Sequence, residues 1–214
     1  GLSLTIRPAC RADGDTDLSQ AIISSAPHGD RRELPGDLAM WFFILAELLV
    51  FGVFFLAYAF ARTRNVELFN ASQLELDQLS GAINTVLLIS SSYFVVRAVD
   101  QIRHDRSRSC AYWLIAAMTC GGTFLALKLV EFGAKIEAGI SMSTNTFFMF
   151  YLGLGFFHFM HVVLGMVILG AVTLKAWKGG YSATSYGGVE TGAAYWHMVD
   201  LVWIILFPLI YVLH

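Results

Sequence analysis

"YWHMVDLVWIILFPLIYVLH", Tyr195 to His214, is a run of twenty largely apolar and aromatic residues. At 1.5 Å rise per residue a helix of this length spans roughly 30 Å, the thickness of a bilayer's hydrocarbon core. In lipid the backbone polar groups must be satisfied within the segment, so the stretch is expected to be a membrane-crossing helix. Yet His197 and Asp200 stand inside it, three residues apart and therefore on one helical face. A charged group at mid-bilayer costs about 2.5–3.5 kcal/mol even on the lenient insertion scale. Such residues should face protein and find partners there.

The rest of the chain fits the same setting. Of 214 residues, 57% are hydrophobic and 14% charged, against about 45–50% and about 25% in soluble domains. The formal net charge of −2 and the lack of a long basic run exclude nucleic acid as a partner class. Three cysteines without CxxC spacing (Cys10, Cys110, Cys120) argue against a disulfide framework or a zinc site. Apolar runs place five membrane helices near Leu38–Ala61, Leu79–Val96, Cys110–Val130, Asn145–Thr173 and Thr191–Leu213. The predicted fold is therefore all-α: an integral membrane bundle over residues 37–214, preceded by a polar tail at 1–36. Lys and Arg number ten on the side of the tail and of the loops after the second and fourth spans, against four on the other side. The positive-inside rule then predicts a cytoplasmic N-terminus and a periplasmic C-terminus.

Counting residues from the span ends places the interior polar groups by depth. Glu47, in "WFFILAELLVFGVFF", is near the midplane; so are His158 and His161, in "GFFHFMHVVLG", and Asp200, with His197 one turn away. Three helices thus carry ionisable groups at similar height, and one buried polar cluster is expected in which histidines bridge Glu47 and Asp200. Haem ligation, proton handling and plain helix bracing all use such residues. Haem ligation is disfavoured because the membrane region holds only three histidines, and no metal site is predicted. Gly81, Asn84 and Ser91 on the second span, and Gly155 and Gly165 on the fourth, recur at spacings that make a helix-packing seam. Lys128 and Glu131, at i and i+3, read as an ion pair of little worth at the outer interface. Pro208 should bend the last span slightly.

Five segments, one per helix and in order, resemble subunit III of the haem–copper oxidases. "MWFFILAELLVFGVFFLAY" is similar to the family's glutamate-bearing helix, and "INTVLLISSSYFVVRAV" to its Asn-Thr, Ser-Ser helix. "GGTFLALKLVEF" resembles the Gly…Glu-aromatic segment, with Lys128 where Gln is common. "HFMHVVLG" follows the His-Gly-x-His-Val pattern with Phe159 at the Gly position, and "YWHMVDLVWIILFPLIY" the Trp-His-Phe-Val-Asp ending with Met198 for Phe.

The resemblance implies a non-catalytic subunit without haem or copper, packed against a haem-bearing catalytic subunit in a bacterial inner membrane. It also implies contact with membrane lipid, including a bound phospholipid, and a supporting role in stability or proton uptake. Glu47, His158, His161, His197 and Asp200 occupy the family's polar motif positions. Larger relatives have seven helices, so the first two have no counterpart among the five expected here. The "ELPGDLAMWFF" entry and the "RNVELF" loop look most like the small branch found with bacterial nitric oxide reductase. Subunit III of a cytochrome c or quinol oxidase is the alternative.

Overall fold

The computed structural model describes residues 38–213; the tail expected at 1–36 lies outside them. Among the described residues, five helices are long and apolar enough to cross a membrane. They are α1 (Leu38–Arg64), α3 (Gln78–Arg103), α4 (Ser107–Glu137), α5 (Thr146–Trp177) and α6 (Gly187–Phe207), the last continued by a π-helical turn over Pro208–Val212. A short helix, α2 (Val66–Gln73), takes the place of the loop expected after the first span. Among the described residues there is no strand beyond one isolated bridge between Ser182 and Ser185.

Most helices overrun the apolar segments that announce them, because polar residues at the interfaces continue the hydrogen-bond ladder and then cap it. Asp77 Oδ1 accepts from the Leu79 amide at 3.0 Å to start α3, and Asn145 Oδ1 from the Phe148 amide at 2.8 Å to start α5. The helices α4 and α5 end on Gly139 and Gly179, whose φ values of 76° and 71° turn the chain left-handed. The following amides, Ile140 and Gly180, reach back to the Lys135 and Lys175 carbonyls at 3.0 Å.

Helices α3 to α6 close a bundle in which each packs on its chain neighbour and α3 returns against α6. Antiparallel register between α3 and α6 is fixed along their length. Gly81 sits against Phe207 and Tyr211, Thr85 accepts from Trp203 at 3.0 Å, Ser92 meets His197, and Arg103 pairs with Glu190. Helix α1 lies on the flank against α6 and α5: 11% of its apolar window is buried, against 56% for the last span. The core is aromatic, with Trp196, Trp203, Phe51, Phe124, Tyr195 and Tyr211 each fully enclosed.

Pro208 does more than bend its helix. It is followed by a π turn closed by the Leu213 amide on the Pro208 carbonyl at 2.9 Å. The Gln73 and Gln78 side-chain amides donate to the Ile210 and Tyr211 carbonyls at 2.9 and 3.0 Å. Backbone groups displaced from the α ladder are thus met by side chains, as burial in hydrocarbon requires.

Candidate functional site

The five interior ionisable residues expected to form one cluster are divided into two contacts and an isolated ring. On the flank, His161 Nε2 of α5 lies 3.0 Å from Glu47 Oε2 of α1. The other ring nitrogen, Nδ1, is 2.8 Å from the Phe157 carbonyl, which only accepts, so Nδ1 carries a hydrogen. A single proton therefore sits between Nε2 and the carboxyl, whether as a neutral acid–imidazole pair or as imidazolium and carboxylate. Phe51 and Phe157 stand edge-on to the ring, with centroids 5.2 and 4.6 Å away.

The second contact joins α3 and α6. His197 Nδ1 and Ser92 Oγ are 2.5 Å apart, and Asp200 follows one turn along the same face of α6. Asp200 Oδ1 has no hydrogen-bond partner. His158, 1% exposed, also lacks a partner on either ring nitrogen and is boxed by Phe51, Phe124 and Trp203. Histidines do not bridge Glu47 to Asp200 as expected. The reason is azimuth: axial counting gives height, but α1 approaches the bundle beside His161, whereas Asp200 turns toward α3.

A larger network was missed. Lys128 and Glu131, expected as a weak exposed interface pair, have side chains only 4% and 10% exposed and are 2.8 Å apart. Lys128 Nζ also donates to Tyr211 Oη at 2.8 Å. Tyr151 and Tyr211 both donate to Glu131 Oε1 at 2.6 Å. The ammonium lies over the Trp203 ring at 4.8 Å. The pair therefore joins α4, α5 and the end of the last span. The two tyrosines were the available signal: phenols near the start of α5 and the end of the last span, which lie at the same end of the bundle, where a buried hydroxyl needs a polar partner.

The seam residues are all in contact. A Cβ on Gly81 would lie 2.8 Å from the Phe207 ring, one on Gly165 2.9 Å from Trp196, and one on Gly155 3.2 Å from Phe132. Ser91 donates to the Ala117 carbonyl at 2.8 Å. Asn84 is enclosed beside them with its amide unpaired. Gly121, not singled out by the sequence pattern, is tighter than these three glycines, at 2.7 Å from Trp196. Among the described residues no group of three His, Cys, Asp or Glu is placed to hold a metal ion.

Fold and interior together define a multi-pass helical membrane protein whose ionisable groups are spent largely on one another and on packing. Comparison with known proteins sharpens this class. The family model for cytochrome c oxidase subunit III matches residues 33–214. The chain is 36% identical over 180 residues to cytochrome c oxidase subunit 3 of Thermostichus vulcanus, covering 82% of this chain and 86% of that protein. It is 31% identical over 214 residues to the Synechocystis protein of the same name, with 98% and 90% covered. To quinol oxidase subunit 3 of Bacillus subtilis it is 25% identical over 182 residues, with 82% and 86% covered. The chain belongs to the cytochrome c oxidase subunit III family, an accessory component of haem–copper oxidases that partners their catalytic subunit I.

Proposed function

We propose that this protein is the non-catalytic third subunit of a respiratory oxidase of the cytochrome c or quinol type, in a bacterial inner membrane with its N-terminus cytoplasmic. The family match over residues 33–214 carries the reading. The relatives named above are cytochrome c and quinol oxidase subunits, which supports an oxygen-reducing partner over nitric oxide reductase. The subunit braces the haem-bearing catalytic subunit and keeps it assembled. A phospholipid has an apolar seat on its lateral surface, such as the groove of about 350 Å³ beside Phe132, Ile136, Leu152 and Phe156.

Deleting the gene should reduce the amount, lifetime or sustained turnover of the oxidase while leaving the haem spectrum of the remaining enzyme unchanged. Full enzyme level, lifetime and turnover in the deletion strain would remove the assembly and support roles together. The subunit purified alone should contribute no Soret band; a bis-histidine haem spectrum would place it among electron carriers instead.

The Glu47–His161 pair separates bracing from proton handling. Glu47→Gln keeps a donor aimed at His161 Nε2 but cannot titrate; Glu47→Ala leaves the ring nitrogen without its partner. If the pair serves proton uptake, Glu47→Gln alone shifts the pH profile of oxidase turnover. If it only joins α1 to α5, Glu47→Gln is silent at every pH. Glu47→Ala would then weaken co-purification, at a cost of order 0.6 kcal/mol, the mean for such bonds in membranes.

A further inference from the structure

Between α1, α3 and α6 lies a cleft of about 670 Å³, within the range of about 300–1,000 Å³ typical of small-molecule sites. Its walls are apolar, from Ile44 and Leu48 of α1, Val96 of α3 and Leu201 of α6. Its polar groups fall at two depths. Asp100, Arg103 and Glu190 line it near the ends of α3 and α6, and His197 lines it two helical turns further in along α6, about 10 Å by axial rise.

Charge decides what kind of head the cleft accepts. Arg103, the one cation among the described lining residues, already donates to Glu190 at 3.0 Å. Asp100 adds a further carboxylate, so the mouth offers no uncommitted positive charge to a phosphodiester. The deeper level is a single imidazole whose Nδ1 is held by Ser92, leaving Nε2 as the nitrogen to serve a ligand. Acyl chains would set methylenes against that ring. A flat six-membered ring with an oxygen at each end would bridge the two polar levels, once a hydrogen bond of about 2.8 Å is added at either end.

We propose that this cleft binds the uncharged head of a prenylated quinone or quinol, one ring oxygen on His197 and the other at the Asp100 level, its tail leaving between the apolar walls. This goes beyond the accessory role, which needs no ligand here, and it assigns binding only, with no electron transfer.

The test is photolabelling of the purified oxidase complex with a short-tailed azidoquinone, in vesicles of phosphatidylethanolamine and phosphatidylglycerol. Label is expected on the peptides containing Trp41–Leu48 and Ala193–Leu201, displaced by unlabelled quinone. His197→Phe should weaken labelling about tenfold, equivalent to about 1.4 kcal/mol. Val96→Phe, which fills the cleft from α3 and leaves the His197 side chain in place, should abolish labelling while the subunit still co-purifies with its partner. That retained co-purification separates loss of the ligand from loss of the accessory role. Label confined to other subunits or spread evenly over α5 overturns the proposal, as does phospholipid in the cleft that quinone does not displace. Unchanged labelling in Val96→Phe does so even where His197→Phe fails to assemble.

Discussion

Lys128→Met should be among the most damaging single substitutions in the subunit. The variant keeps the length of the lysine stem but removes the ammonium that Glu131 and Tyr211 share. Glu131 is then a buried carboxylate facing two phenols in hydrocarbon, and breaking such a pair on one side costs about 3–5 kcal/mol. The expected result is loss of the subunit from the purified complex, or a large fall in its thermal midpoint in detergent. Removing both charges tests the cause: Lys128→Met with Glu131→Leu should recover much of the loss, leaving only the two tyrosine hydroxyls without an acceptor. Lys128→Gln should be milder than Lys128→Met because its amide still donates to Glu131. If Lys128→Met and the double variant are equally impaired, the ion pair is not what holds α4 to the chain's end.

Five spans and their order were legible in the sequence because each is an apolar run of bilayer length, and hydrocarbon leaves a polypeptide little choice but helix. Their ends were less so. The third helix runs on to Arg103 rather than Val96, and the fourth starts at Ser107 and continues to Glu137, since hydropathy falls at the headgroups while the backbone ladder does not. Helix α2 was hidden for the same reason: "VELFNASQ" is short and mixed, and only the burial of Phe69 and Gln73 under the bundle gives it a face. Depth was legible too, as the 3.0 Å contact between Glu47 and His161 across α1 and α5 shows. Direction around each helix was not. Nothing in spacing alone distinguishes His161, which meets α1, from His158, three residues earlier and closed in aromatic rings. Lys128 illustrates the converse. Counted along α4 it belongs at the interface, but the turn after Pro208 folds Tyr211 over it and converts a surface pair into a buried one.

Gly121→Val should disrupt the bundle, although spacing alone does not place Gly121 in a packing seam. The Trp196 indole is clasped between α4 and α5: a Cβ on Gly121 would stand 2.7 Å from its Cη2, and one on Gly165 2.9 Å from its Cε3. A rigid two-ring side chain fills the gap that two glycines leave, so neither helix can retreat without opening the core around Phe124 and Leu169. Overpacking of this kind costs about 1–3 kcal/mol where neighbours can yield, and of the three atoms nearest this Cβ two belong to the rigid indole and one, Met166 Sδ at 2.9 Å, to a flexible side chain. Gly121→Val is therefore expected to lower the thermal midpoint and the yield of assembled complex sharply, and Gly165→Val similarly. Trp196→Phe alone leaves a cavity and costs less than the approximately 3–5 kcal/mol of full truncation to Ala. Combined with Gly121→Val it makes room for the new methyl groups, so the double variant should be more stable than the two single losses predict. A coupling of about 0.5–3 kcal/mol in that cycle is the expected signature of residues in direct contact. Strict additivity would mean that the indole is not the spacer that sets the distance between α4 and α5.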